Sequence, residues 1–163
     1  MSRDVIDEVV RAYIARNVHK PLHAAAVAAL DRTVKLVFSD AQPDLSEYDL
    51  TWAGWQTLML LFYSRHQRLP ITRLAKRTGA HATTVTRTVD RLVRSGYARR
   101  VADSQDRRVN IIELTKAGEI AQDAVAAHQA ERGWGLAALN DDDVSTLLDL
   151  LKKIRVSLGD NDY

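Results

Sequence analysis

The sequence predicts a mainly α-helical protein with one small antiparallel β-hairpin. Glycine and proline are scarce, with 7 and 3 among 163 residues, and this scarcity favours helix. Apolar residues recur at helical spacing over most of the chain, whereas two short alternating segments flank a single polar loop after residue 102. A chain of this length suits one well-buried core, so we expect a single intertwined domain.

The first half of the chain predicts three helices. The first covers Asp4–Arg16, and the second runs from Pro21 to about Phe38 because proline is tolerated in the first turn of a helix. The polar stretch Ser39–Asp49 contains Pro43 and is interpreted as a loop. A third helix is expected over Thr51–Ser64.

The most informative segment follows Pro70 and predicts two helices joined by a sharp turn. These helices are expected over Ile71–Thr78 and Ala82–Ser95. Ala75 is small enough to let the second helix cross closely over the first, and Gly79 accepts the positive φ of a tight turn. Val85 then faces the angle between the helices. This register is typical of a helix-turn-helix, whose second helix enters the DNA major groove.

The remaining chain predicts a hairpin and two more helices. Strands are expected over Tyr97–Ala102 and Val109–Leu114, and together they would form the wing of a winged helix. A long helix is predicted over Lys116–Ala138, with a bend near Gly133. Asn140 precedes three aspartates and predicts the start of the last helix, since acids stabilise a helix N-terminus.

Composition narrows the classes of function. The chain has no cysteine, which excludes disulfides, thiolate metal sites and cysteine redox switches. No apolar run is long enough to span a membrane and the N-terminus lacks a secretory h-region, so we expect a cytoplasmic protein that does not bind membranes. Between Arg65 and Arg108 there are twelve Lys/Arg and three acids, a net charge of +9. Such a basic middle is typical of a nucleic-acid-binding module, although a solvated Arg-rich surface is the alternative.

The second helix of the helix-turn-helix carries the predicted base-reading groups. Hydroxyl groups bond phosphates or base edges, and a guanidinium group bonds guanine at two atoms. Backbone N–H groups at the start of the helix favour a phosphate. The candidate residues are His81, Thr83, Thr84, Thr86, Arg87 and Arg91.

The predicted wing loop carries a second set of candidates. Asp106 lies two residues before Arg108 and is expected to hold its guanidinium group in a fixed direction. A rigid arginine suits a narrow minor groove, and Arg107 is expected to meet phosphate. A surface salt bridge of little energetic value is the alternative explanation.

These motifs together resemble the MarR family of bacterial transcription regulators. The resemblance covers about Ile71–Gly118. It is carried by Leu74-Ala75, Gly79, Thr83-Thr84-Val85-Thr86-Arg87, Val89-Asp90-Arg91-Leu92, Gly96-Tyr97, Asp103, Asp106-Arg107-Arg108 and Leu114-Thr115-Lys116-Ala117-Gly118.

The resemblance implies an obligate homodimer that binds double-stranded DNA. Residues 1–50 and 116–163 would supply dimerisation helices, and residues 51–115 the winged helix-turn-helix. Thr83, Thr84, Thr86 and Arg87 would lie in the major groove, and Arg108 in the minor groove. A repressor of this kind would occupy a pseudo-palindromic operator and leave it when a ligand binds. Two departures stand out: Ser104 replaces the proline common in this loop, and the N-terminal region is longer than usual.

The family's ligands suggest an effector cleft for small aromatic molecules. The candidate lining residues are Tyr13, His19, His23, Trp52 and Trp55. Ordinary core packing is the favoured explanation of these aromatics. His19 and His23 have the spacing of a helical metal pair, but Pro21 interrupts it, so we expect no metal and no cofactor.

Two other classes of function remain as alternatives. An enzyme is disfavoured, because the sequence contains no glycine-rich phosphate loop, no nucleophile motif and no metal-ligand cluster. A helical protein-interaction module, or a DNA-binding protein without sequence preference, would have the same fold. Activation of transcription is the alternative to repression.

Overall fold

A computed structural model describes residues 4–102 and 110–160 of the chain. The helices are α1 (Val5–Ala15), α2 (Pro21–Glu47), α3 (Trp52–Phe62), α4 (Ile71–Thr78), α5 (Ala82–Arg94), α6 (Lys116–Glu131) and α7 (Asp141–Ser157). The strands are β1 (Arg68–Pro70), β2 (Ala98–Ala102) and β3 (Asn110–Leu114). Short 3₁₀-type turns that contain left-handed residues occupy Arg65–Gln67 and Gly133–Gly135. None of the helices in these ranges is both long and apolar enough to cross a membrane.

The expected mainly α fold with a small antiparallel sheet is confirmed, and the sheet has one more strand than predicted. β3 lies in the centre, pairing with β2 from Ala98↔Leu114 to Ala102↔Asn110 and with β1 on its other side. β1 was missed because three residues ending in Pro70 are too few to show alternation. Proline is tolerated there because β1 is an edge strand.

Helix α2 is longer than predicted, and the predicted loop over residues 39–49 is wrong for most of its length. The helix continues through Pro43 to Glu47. Proline removes one backbone hydrogen bond from a helix interior, but the surrounding residues gain tertiary contacts. Ala41 and Leu45 are fully buried, and Asp44 is bound by α6. Packing therefore outweighs the local preference for a loop.

Helix α6 is shorter than predicted, and the single long helix over residues 116–138 is wrong beyond Glu131. Gly133, Trp134 and Gly135 all have left-handed backbone conformations, with φ of 62°, 58° and 73°. Three such residues in succession end a right-handed helix. The expectation of a bend near Gly133 is thus replaced by a complete break before α7.

Side chains cap several helix starts, including the predicted cap of α7. Asn140 and Asp143 form a reciprocal capping box at α7. Thr51 and Thr115 accept hydrogen bonds at 3.1 Å from the N–H groups of Gly54 and Gly118 and so cap α3 and α6.

The hydrophobic core joins α3, α4, α5, α6, the sheet and the end of α2. Its fully buried side chains include Leu45, Leu58, Leu61, Leu74, Val89, Ile112 and Val125. α7 contributes no buried residue. The core therefore builds the winged-helix part of the chain and leaves the last helix outside it.

A buried ionic cluster joins α2 to the end of α6. Asp44 is only 7% exposed. Gln129 Nε2 donates to its carboxylate at 2.6 Å, and Arg132 donates to both carboxylate oxygens. The pKa of Asp44 is held below its usual value, chiefly by the hydrogen bond from Arg132 and further by that from Gln129, against the opposing effect of burial.

Replacing Gly118 with alanine should destabilise the protein. A Cβ at this position would meet the carbonyl group of Tyr97, with the carbonyl carbon 2.9 Å away. We expect Gly118→Ala to lower the free energy of unfolding by roughly 1–3 kcal/mol, measured by urea denaturation. Gly54→Ala is the matched control, because Gly54 also follows a capping threonine by three residues and its Cβ would meet only side chains, the Thr51 hydroxyl at 3.3 Å and Leu50 and Leu92 at 3.6 Å. Equal stability of Gly118→Ala and wild type would contradict the close approach.

Asp44 should contribute to acid sensitivity. Its folded-state pKa is lowered, so its stabilisation is present above the unfolded pKa of about 3.9 and is lost as pH falls through the folded pKa. Asp44→Asn should therefore lower the free energy of unfolding at pH 7 by roughly 1–3 kcal/mol and flatten its decline below pH 5. Asp31→Asn, which removes an exposed acid paired with Lys35, is the control. Parallel pH curves for Asp44→Asn and wild type would refute this role.

Candidate nucleic-acid interface

Helices α4 and α5 are joined by the sharp turn that the sequence predicts. Gly79 ends α4 with φ of 63°, in the left-handed region that glycine enters without strain. Leu74 and Val85 are buried on the two sides of the turn, and Ala75 is half-buried against the core. The packing of small and branched residues thus fixes the angle between α4 and α5.

Helix α5 has one buried face and one exposed face. Val85, Val89 and Leu92 are each 3% exposed or less and pack on the core. The exposed face carries Thr83, Thr84, Thr86, Arg87, Asp90, Arg91 and Arg94. All six candidate residues on and just before this helix, including His81, are therefore exposed and lie along one element.

The start of α5 is open to an anion. His81 precedes the helix without capping it through its side chain, and the first turn contains no acid. The first backbone N–H groups of a helix have no partner within the helix, and they carry the positive end of its dipole. A phosphate group is a suitable partner for such an end.

The threonine hydroxyls on α5 differ in what they offer. Thr86 Oγ1 donates to the carbonyl of Ala82 at 2.9 Å, and Thr88 Oγ1 donates to that of Thr84 at 3.0 Å. The hydroxyl proton of Thr86 is therefore committed, so its oxygen accepts and its methyl group is available for apolar contact.

The arginines of α5 also differ. Arg91 Nη2 lies 2.5 Å from Asp49 Oδ1 and 3.1 Å from the Asp49 carbonyl oxygen. Arg94 Nε donates to the carbonyl of Asp90 at 3.3 Å. Arg87 has no hydrogen bond or ion pair to any residue of the two described ranges. All of the hydrogen-bond donors of its guanidinium group are thus available to DNA.

Strand β2 places further cations beside α5. Arg100 Nη2 lies 2.7 Å from Asp90 Oδ1, and Arg99 Nη2 lies 2.5 Å from Glu113 Oε1 on β3. Strands β2 and β3 lead towards the predicted wing loop. The candidates Asp106, Arg107 and Arg108 lie outside the described residues.

The candidate cleft residues do not form one group. Phe38, Trp52, Trp55 and Trp134 make a continuous aromatic run, with ring centroids 4.3, 5.2 and 5.6 Å apart in that order. Trp55 is 2% exposed and belongs to the core.

The other three candidates lie on α1 and around the start of α2. Tyr13 is half-buried on α1, whereas His19 is exposed just before α2 and His23 is exposed in its first turn. Among the described residues, no ring contact joins Tyr13 to the aromatic run.

Sequence reasoning missed the contacts that tie α5 to the end of α2. Tyr97 Oη donates to the carbonyl of Tyr48 at 2.9 Å, next to the pair formed by Arg91 and Asp49. These partners are 49 and 42 residues apart in the chain. No local pattern connects them, so only the three-dimensional arrangement identifies them.

A helix-turn-helix with an exposed Thr/Arg face and a paired hairpin beside it defines a winged-helix domain. A family model described as "MarR family" matches residues 48–109. The chain is 28% identical to Sco5413, a MarR family transcriptional regulator from Streptomyces coelicolor, with a TM-score of 0.78 over 89% of this chain and 100% of that one. The chain is thus similar to MarR family regulators in sequence over residues 48–109 and in fold over most of its length.

Two further relatives are similar over part or most of the chain. The HTH-type transcriptional repressor YetL of Bacillus subtilis (strain 168) is 40% identical over 70 residues, which are 43% of this chain and 42% of that repressor. The chain thus matches less than half of YetL's length. A mutant MarR from E. coli, solved in complex with operator DNA, is 26% identical, with a TM-score of 0.63 over 79% of this chain and 95% of that one. These relatives carry the names of regulators and not of enzymes.

Proposed function

We propose that the protein is a bacterial transcription regulator that binds a pseudo-palindromic operator as a homodimer in the cytoplasm. Repression by occupying a promoter is the proposed action. The observation that carries the proposal is the exposed Thr/Arg face of α5, with an unpaired Arg87, held beside a basic hairpin. The operator complex of the E. coli relative supports the same mode of binding.

The proposed DNA contacts follow from the chemistry of each group. Thr83, Thr84, Thr86 and Arg87 would face base edges in the major groove, and the N-terminus of α5 with His81 would meet a phosphate. In the wing, Arg108 oriented by Asp106 would enter the minor groove, and Arg107 would bind phosphate.

Exposed apolar side chains on the terminal helices support a homodimer. On α2, Leu22 and Val27 are 66% and 67% exposed, and on α7, Leu148 and Leu158 are 59% and 81% exposed. An apolar surface of this extent marks an interaction site. Residues 1–50 and 116–163 are therefore proposed as the dimerisation region.

Release by a small aromatic ligand is the proposed form of regulation. The buried Trp55 Nε1 donor has no hydrogen-bond partner among the described residues, which supports a polar ligand atom near the aromatic run. A ligand would release DNA only by binding one spacing of the two recognition helices more tightly than the other.

Selection of duplexes from a random pool tests the proposed function. The wild-type protein should enrich an inverted repeat with half-sites about 10 bp apart, centre to centre. Arg87→Ala should bind the selected duplex more weakly and lose preference at the base it reads, by about 1–3 kcal/mol.

Arg73→Ala is a control for loss of positive charge, since Arg73 is exposed on α4. It should retain the base preference of the wild type. Binding without enrichment of any sequence would favour a non-specific DNA-binding protein, and no binding at all would favour a protein-interaction module.

A charge placed in the apolar face of α7 should dissociate the dimer. Ile154 is 44% exposed on this helix, and Ile154→Glu would bury an unpaired carboxylate in the proposed interface. The dimer dissociation constant should rise at least about a hundredfold, because such burial costs several kcal/mol. Sedimentation should shift from twice 18.3 kDa towards 18.3 kDa.

Ser145→Glu is the control, because Ser145 lies nine positions earlier and so on the opposite side of α7. This variant should remain dimeric. A wild-type protein that sediments as a monomer would contradict the dimer directly.

A further inference from the structure

Tyr48 and Asp49, the first two residues after α2, accept three hydrogen bonds from the last turn of α5 and the residues that follow it. We call this pair the Tyr48–Asp49 turn. Arg91 Nη2 donates to the carboxylate and the carbonyl of Asp49, and Tyr97 Oη donates to the carbonyl of Tyr48. The two donors lie on either side of Gly96, where α5 passes into the sheet.

One of these donors caps the C-terminus of α2, because Tyr97 Oη donates to the carbonyl of Tyr48, the C-cap residue. The last carbonyl groups of a helix have no partner within the helix and carry the negative end of its dipole. Asp49 has φ of 51°, so the chain leaves the helical path there and turns its carbonyl towards Arg91. The contacts therefore join α2 directly to α5.

A second ion pair holds α5 from its other side. Asp90, the neighbour of Arg91, binds Arg100 on β2 at 2.7 Å. Consecutive residues thus tie α5 to two different elements, α2 through Arg91 and the hairpin through Asp90. Such paired contacts oppose rotation of the helix about its own axis.

Rotation of α5 matters for reading DNA. A side chain about 6 Å from a helix axis moves by about 1 Å when the helix turns by about 10°. Arg87 lies one turn before Arg91 on the same face. A bidentate contact with guanine tolerates little misplacement.

We infer that Arg91 and Tyr97 are positioning residues, which fix the rotation of α5 through the Tyr48–Asp49 turn and connect it to α2. This inference rests on the proposed function, and it revises the sequence-based prediction that Arg91 contacts DNA. Both bonds to Asp49 are made by Arg91 Nη2, so they direct the guanidinium group towards the Tyr48–Asp49 turn.

Removal of Asp49 distinguishes the two roles by the sign of its effect. If Asp49 is only an acid close to DNA, then removing its charge strengthens binding. If it anchors Arg91, then removing it weakens binding to the operator. Asp49→Gly is the suitable variant, because glycine accepts the positive φ at this position without strain.

The experiment measures affinity for the selected duplex and for a random duplex over a range of salt concentrations. Asp49→Gly and Arg91→Ala should each weaken binding to the selected duplex about three- to tenfold, the effect of one hydrogen-bonded ion pair, and weaken binding to random DNA less. The double variant should be no weaker than Arg91→Ala, because the two residues act as a pair. The salt slope should not change.

Three results would overturn the inference. These are wild-type or tighter binding by Asp49→Gly, a further loss of affinity when Asp49→Gly is added to Arg91→Ala, and a salt slope reduced by about 1 in Arg91→Ala, as expected for a phosphate contact.

Tyr97→Phe removes only the hydroxyl group that binds Tyr48, so it tests the turn even if Asp49→Gly fails to fold. It should also lower the affinity ratio between selected and random DNA, and an unchanged ratio would overturn the role of Tyr97. Failure of the wild-type protein to enrich any duplex would instead reject the proposed function itself.

Discussion

The winged-helix part of the molecule depends on how α5 is packed. Val85, Val89 and Leu92 form one buried stripe against the core, and this stripe leaves the opposite face of the same thirteen residues for solvent. The geometry of a helix fixes the directions of the side chains around it, so burial of one face also sets the orientation of the opposite face. The core residues of α5 therefore also determine where its threonines and Arg87 point.

Ion pairs add to the orientation that core packing gives α5. Exposed ion pairs contribute little to stability, typically less than about 1 kcal/mol, so the pairs of Arg91 with Asp49 and Arg100 with Asp90 are weak explanations of the fold. Their geometry matters more than their energy, because each joins α5 to a different element. Arg87 stands apart from them, with no partner among the described residues, and so keeps its full capacity for an external acceptor.

How far the sequence predicted this molecule depends on whether the signal was local. Gly79, the Thr51 and Thr115 caps and the box at Asn140 are all set within a few residues, and the helix boundaries beside them were predicted closely. The predicted end of α2 was wrong because Pro43 is a local signal for a loop, whereas the contacts that override this signal come from Gln129 and Arg132, far along the chain. The exposed side of α5 was predictable from periodicity. The partner of Arg91 was not, since Asp49 is 42 residues away and nothing in the spacing relates the two.

Helices α2 and α7, from the two ends of the chain, both leave apolar side chains exposed. α7 has a capping box but no buried residue, so its own chain gives it little reason to remain helical. A partner that covered its apolar face would supply the missing burial, and α2, which also exposes apolar residues, would share that contact. Because the same α2 ends at the Tyr48–Asp49 turn, a change in how two chains pair would reach α5 through the hydrogen bonds of Arg91 and Tyr97. In the proposed dimer, the geometry of pairing and the orientation of α5 would therefore be coupled.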